Sequence, residues 1–298
     1  MSIIFYDPVT KLHNLFILSL IYELNNNNHR YEIINKVEID YNNYDLANDI
    51  IIIFLNPQFL KTHKNIYDEF IKISNNFKYK IYYITEPLNY LIDIKVWEEY
   101  IKILKPFKLL TYTNENLNKL KVYQSITKLC PKFNNYIDIG DYNVETIKNK
   151  NKDKIIFMGT MNIHRENVFK NMENKIVVKN DIWNMDEYQE IIENNLFFIN
   201  IHRRNGCKCL EYLRIIPLLS NGCIVISELS NEEDMNELKD YNIYFCDKAN
   251  ILETYYNILK NINYNEIYNK VNKFREEFIY DNIYDKIIQK MIYKCLNL

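Results

Sequence analysis

The chain has 298 residues with 37 Lys and Arg against 39 Asp and Glu and a pI near 6.3, a balance that argues against a nucleic-acid binder, whose footprint is basic. Its length suits two ordinary domains, and a 48% hydrophobic content suffices for two cores. No apolar run reaches membrane-spanning length, and the opening Ser2-Ile3-Ile4-Phe5-Tyr6 reads as a first strand rather than a signal peptide, so a soluble protein of the cytoplasm is expected.

In the first half, apolar runs predict strands over Ile3–Tyr6, Tyr31–Ile34, Ile50–Leu55, Lys80–Thr85 and Lys108–Thr113. Helical spacing predicts helices over His13–Leu24, Thr62–Asn75, Ile94–Leu104 and Asn114–Leu120. The strands are continuous apolar runs rather than alternating ones, as in a parallel sheet covered on both faces. From Asp141 to Lys154 the pattern lapses into a polar, lysine-rich stretch, the best linker candidate in the chain. Afterwards strands are expected at Ile155–Gly159, Lys175–Lys179, Leu196–Asn200, Cys223–Ser227 and Asn242–Cys246, with helices from about Arg165, at Asp186–Glu193 and after the turn at Gly206. The last stretch, from Ile251 onward, reads as wholly helical, and its segment 280–296 is expected to pack back on the first domain. The fold class is therefore α/β, with doubly wound domains over residues 1–145 and 146–298.

Composition adds two constraints. Asparagine runs such as Asn25–Asn28 are compositional bias and read as loop, but glycine is so scarce, at four in the chain, that Gly159, Gly206 and Gly222 are expected where the backbone needs room or positive φ. The six cysteines, Cys130, Cys207, Cys209, Cys223, Cys246 and Cys295, follow no framework spacing and read as reduced thiols. Cys207-Lys208-Cys209 lacks a second pair at zinc-site spacing, so no metal site is expected.

The chemistry concentrates between Leu196 and Glu228. A strand ends in Asn200-Ile201-His202, a basic turn carries Arg203, Arg204 and Gly206, a helix carries Glu211 and Arg214, and a second strand closes on Ser227-Glu228. In an open parallel sheet the carboxyl ends of strands line the ligand crevice. Two arginines and a histidine there point to an anionic ligand such as a diphosphate. Glu211 and Arg214, at i and i+3, either belong to that site or pair on a helix surface. His202 is either a ligand contact or a strand-end histidine bonded to backbone. Asn200 either stitches the turn or touches ligand. Ser227 is explained as the cap of the next helix, and the run Glu232-Glu233-Asp234 as that helix's solvated start.

Two segments carry a family resemblance. Ile155–Phe169, IIFMGTMNIHRENVF, looks like the strand, glycine turn and His/Arg helix start of the C-terminal domain of GT-B glycosyltransferases. INIHRRNGCKCLEYLRIIPLLSNGCIVISE is similar to the N-x-H, L-E-x-x-R-I, leucine-rich helix, glycine and V-I-S-E pattern of group-one-like members from bacteria and large DNA viruses. In the first half the resemblance rests on topology and on the strand running into Glu86.

The resemblance implies two Rossmann-like domains facing a cleft with a helical C-terminal tail, and transfer of a sugar from a nucleotide-diphosphate donor to a glycan or protein acceptor. The donor would lie on the C-terminal domain, at Gly159, His164, Arg165, Asn200, His202, Arg203, Glu211, Arg214 and Glu228, and the acceptor on the N-terminal one. A departing diphosphate develops negative charge that preorganised cations can stabilise, so no cofactor or metal is expected. An inverting enzyme also needs a base, for which Asp7, His13 and Glu86 are the candidates. The retaining subset carries Glu-x7-Glu, but the position eight after Glu211 is Leu219, so that motif is incomplete. An epimerase-like enzyme of the same fold and a non-catalytic sugar-nucleotide-binding module are the alternatives.

Overall fold

The computed structural model describes residues 2–8, 30–55, 57–84, 94–111, 113–120, 126–128, 143–172, 174–180, 182 and 185–280. The chain divides into two compact units, one of Met1–Lys132 with Asn282–Leu298 and one of Phe133–Asp281. The expected helix His13–Leu24, the loop Asn25–Asn28, Cys130 and Cys295, and the expected terminal helix beyond Tyr280 lie outside the described residues.

The first unit is a six-stranded parallel sheet of β1 (Ser2–Tyr6), β2 (Arg30–Ile34), β3 (Ile50–Phe54), β4 (Tyr79–Ile84), β5 (Lys108–Thr111) and β6 (Ile126–Lys128), in the order β2-β1-β3-β4-β5-β6. Every residue of β3 and β4 is buried, which is why β3 reads as an unbroken apolar run and β4 as one interrupted only by Lys80, whose Nζ donates to Ser74 O. The helix Lys64–Asn76 supplies Ile66, Phe70 and Ile73 to the core, and Ile94–Leu104 supplies Trp97, Tyr100, Ile101 and Leu104. Where one helix from Thr62 was expected there are two, Pro57–Thr62 and Lys64–Asn76, because His63 takes an extended φ of −126° between them. Pro57 at the first helical position, where its missing N–H costs nothing, was the sequence cue. β6, only three residues long, was too short for the periodicity to reveal.

The second unit is a five-stranded parallel sheet of β7 (Asn151–Met158), β8 (Ile176–Lys179), β9 (Asn195–Asn200), β10 (Ile224–Glu228) and β11 (Ile243–Cys246), in the order β11-β10-β9-β7-β8. Successive residues alternate faces: Ile155, Phe157, Phe197, Ile199, Ile224 and Ile226 share one core with Ile251, Tyr255, Ile267 and Val271. Strand order reverses between β7 and β9, so the turns that follow these two strands open a crevice at the topological switch point.

The stretch expected to be a linker is structured from Asn143 on. Asn143 and Thr146 close a reciprocal capping box on the helix Val144–Asn149, Ile147 is buried in the core, and β7 begins at Asn151 rather than Ile155. One buried isoleucine among polar residues gives periodicity almost no signal. The C-terminal stretch is helical over its described residues, with one interruption. It breaks at Asn261–Asn263, where Asn263 caps the helix Tyr264–Phe274, and a π-helical turn follows over Arg275–Tyr280. Buried Arg275 donates from Nε to Ser220 O at 2.8 Å, which satisfies a carbonyl at the end of the helix Tyr212–Ser220. No helix among the described residues is long and apolar enough to cross a membrane.

Candidate functional site

The turns after β7, β9 and β10 gather most of the polar residues singled out from the sequence. β7 ends at Met158 and the chain turns at Gly159, whose φ of +147° is one that side-chain-bearing residues rarely adopt. Asn162 then caps the helix Ile163–Phe169 through the Arg165 N–H and also donates from Nδ2 to Arg203 O at 3.0 Å, tying the two turns together.

Glu211 is the centre of the first cluster. It is the residue preceding the helix Tyr212–Ser220 and makes no capping bond, which leaves its carboxylate for two cations. Arg214 Nη1 lies 2.5 Å from Glu211 Oε2, and Arg165 Nη2 lies 3.2 Å from Oε1. Glu211 and Arg214 therefore pair, as helix spacing allows, but in a cluster that a lone surface pair would not build. Both guanidinium groups also lie over the Phe157 ring, at 4.9 Å for Arg165 and 5.4 Å for Arg214.

The two arginines differ in what they have left to offer. Arg165 is 3% exposed, and its guanidinium donates to Ile201 O through Nε and Nη2 and to Thr160 O through Nη1 at 2.7 Å. It braces the two turns. Arg214 donates from Nη1 to Asn200 Oδ1 at 3.1 Å, while among the described residues its Nη2 has no hydrogen-bond partner. Asn200 is held in turn by donating from Nδ2 to Ser227 Oγ at 3.1 Å, so it both stitches the site and presents Arg214.

A second cluster adjoins the first through the consecutive residues Ile201 and His202. Glu228, at the end of β10 and 7% exposed, accepts from the His202 N–H at 3.1 Å and lies 3.5 Å from Lys248 Nζ and 3.8 Å from His164 Nε2. The His202 ring is buried with Nε2 3.1 Å from Leu229 O and 3.3 Å from Ser230 Oγ. A carbonyl only accepts, so Nε2 carries the proton and donates, and the backbone-bonded reading of His202 holds for that nitrogen. Burial pushes the His164 imidazole below its ordinary pKa, Lys248 and Arg165 push the same way, and Glu228 opposes them.

The other expectations fall as follows. Asp7 stands buried at the carboxyl end of β1, its N–H donating to Ile34 O. His13 and Glu86 lie outside the described residues. Arg203 and Arg204 are exposed in the turn, and Gly206 takes φ +77°. Ser227 is not the cap of the next helix: Asn231 is, accepting from the Asp234 N–H, because Ser227 is still inside β10. Nor is Asp234 solvated. It is fully buried and accepts from the Tyr212 hydroxyl at 3.0 Å, since the helix Glu232–Leu238 packs that position against the start of the helix carrying Arg214. Lys248 was missed, although its place just beyond β11 follows the same strand-end rule that found Glu228. Cys223 and Cys246 are free thiols, and among the described residues no group of three or more His, Cys, Asp or Glu is placed to hold a metal ion.

No family model matches the chain, and no curated protein matches it in sequence. Solved structures do match its fold. An alpha-glucosyltransferase in complex with UDP-glucose and DNA containing an abasic site superposes with a TM-score of 0.62 at 13% identity, over 98% of each chain. HepE from Anabaena, in complex with UDP and glucose, gives 0.61 at 8% identity, over 98% of this chain and 99% of that one. A glycosyltransferase from Rickettsia africae gives 0.53 at 12% identity, over 99% and 98%. The fold is that of the GT-B glycosyltransferases.

Proposed function

We propose that the protein is a glycosyltransferase that moves a sugar from a nucleotide-diphosphate donor to a hydroxyl acceptor on a glycan or protein, without a divalent metal or other cofactor, in the cytoplasm. The observation that carries this reading is the Arg214 guanidinium. It is fixed by Glu211 and Asn200 at the switch point of the second sheet, with Nη2 left for a ligand oxygen. A leaving diphosphate gains negative charge as its bond to the sugar breaks, and a cation already in position stabilises it without reorganising. Arg165 supports the site by holding Ile201, Thr160 and Glu211 in place. The neighbours solved with UDP-glucose or with UDP and glucose support a uridine donor as the first to try. On this reading residues 146–298 hold the donor, residues 1–145 hold the acceptor, and the terminal segment 280–296 returns to the N-terminal domain.

The test is a thermal-shift screen against UDP, GDP, CMP and dTDP and their sugars, followed by hydrolysis and transfer assays with each donor that binds. A ligand bound only by the native state raises the melting temperature, by mass action. The proposal expects at least one nucleotide sugar to shift the transition and to be turned over. Binding without turnover would leave a sugar-nucleotide-binding module, and no shift with any member would reject the donor site.

A further inference from the structure

We infer that the second unit carries a separate, non-catalytic site for an uncharged saccharide at the amino end of its sheet, an inference that does not depend on the donor-site reading above. A cavity of about 340 Å³ opens between β10, β11 and the two helices that follow them, Ile251–Lys260 and Tyr264–Phe274. That volume falls within the range of small-molecule sites. Ile224 opens β10 and Glu228 closes it, so four residues of strand, roughly 13 Å, separate this cavity from the Glu228 cluster. Helical spacing explains one wall: Thr254, Asn257, Ile258 and, at the helix end, Asn261 recur at i, i+3, i+4 and i+7 and so share a face.

Asn242 is the residue that points to a ligand. It stands just before β11, and its carbonyl extends the ladder by accepting from the Val225 N–H at 2.8 Å, which puts its side chain on the same sheet face as Tyr244. It is 2% exposed, and its Nδ2 donates to Ile267 O at 3.0 Å. A carbonyl only accepts, so that bond fixes which end of the amide is Oδ1. Among the described residues Oδ1 has no hydrogen-bond partner, and Asn242 borders the cavity. An acceptor buried to that degree costs free energy unless a donor meets it, and the cavity is where a donor can enter.

The lining selects the class of ligand. Its floor is apolar: Ile224 and Ile267 belong to the core, and Tyr244, Ile258 and Ile262 are partly buried against it. Its rim is amide. Asn261 donates from Nδ2 to Asn257 O at 2.9 Å and Asn263 accepts from the Glu266 N–H at 3.2 Å, which leaves one amide group of each, and both of Asn257, without a partner among the described residues. An amide accepts from one hydroxyl and donates to the next, the pattern that neighbouring hydroxyls of a sugar ring present, while the C–H face of the ring covers isoleucine and tyrosine. Charge excludes a nucleotide. Among the described lining residues only Glu266 is charged, and it pairs with Lys270 at 2.8 Å, so the lining offers a phosphate no cation.

The experiment follows the full, isotope-labelled chain by NMR during titration with maltotriose, cellotriose, mannotriose and chitotriose, and with glycerol as a polyol that has no ring, each with and without UDP. At least one trisaccharide should shift the side-chain amide signals of Asn242 and Asn257, with the same Kd whether or not UDP is present, while glycerol at equal concentration leaves them in place. Asn257→Ala should raise that Kd about fivefold to tenfold, the loss of one hydrogen bond. Asn257→Trp should close the mouth of the cavity and abolish binding, and since Asn257 is exposed both variants should keep the wild-type melting temperature. If either misfolds, the wild-type titration still decides. Unmoved Asn242 and Asn257 signals with every trisaccharide, an equal shift with glycerol, displacement by UDP, or binding unchanged in folded Asn257→Trp would overturn the site while leaving the transferase reading intact. Failure of every nucleotide and nucleotide sugar to bind would reject the donor site and leave this one standing.

Discussion

A Cβ built at Gly159 would stand 2.8 Å from Nη2 of Arg214, so the absence of a side chain at the end of β7 is what lets that guanidinium occupy the crevice. The link joins two residues 55 positions apart in sequence (214 minus 159) and is mediated by shape alone.

Gly159→Ala should therefore act twice. The φ of +147° is strained for alanine, costing about 1–3 kcal/mol of stability. The methyl group also meets the tip of a flexible side chain, so Arg214 shifts and the fold survives. Urea denaturation should show the first effect, and calorimetry a weakened affinity for nucleotide diphosphate.

Arg165 and Arg214 should separate in a paired experiment. Arg214→Ala should weaken nucleotide-diphosphate binding by about 1.5–3 kcal/mol, the range of a charge-assisted hydrogen bond, with little loss of melting temperature. Arg165→Ala strips donors from Ile201 O, Thr160 O and Glu211 and should cost about 3 kcal/mol of stability. Equal affinity in folded wild type and Arg214→Ala would take Arg214 out of the site.

Stability should fall on the acid side through His164. Its folded pKa lies below the ordinary 6.5, so the neutral ring is favoured by folding. That contribution is fully present above the unfolded value and is lost as pH falls through the folded one. The urea midpoint of wild type relative to His164→Gln should thus drop below about pH 6.5, and parallel midpoints across that range would contradict the shift.

Transfer should persist in EDTA. If, as proposed, the fixed Arg214 guanidinium meets the leaving diphosphate, added magnesium or manganese should change the rate little. Abolition by chelation with rescue by manganese would overturn this and make the carboxylates of Asp138, Asp141, Glu232 and Glu233 the ones to test.

The alternation of buried parallel strands and amphipathic helices was legible because burial writes itself into local spacing: β3 is apolar throughout, β4 is apolar but for Lys80, and Ile94–Leu104 falls where its periodicity places it. So was the position of Asn200, His202 and Glu228, since strand ends in such sheets line the ligand crevice. What each polar residue does there depends on partners far away in sequence. Two arginines of the same charge divide into a brace between turns and a cation paired with Glu211 and Asn200 only because Arg165 meets Ile201 O, 36 residues on, while Arg214 leans over Gly159. Lys248 reaches Glu228 only when β11 pairs with β10, and Asp234 is buried only when its helix covers Tyr212. Spacing along the chain fixes which face a residue occupies, but hydrogen bonding and burial are settled between elements, and that is decided by tertiary packing.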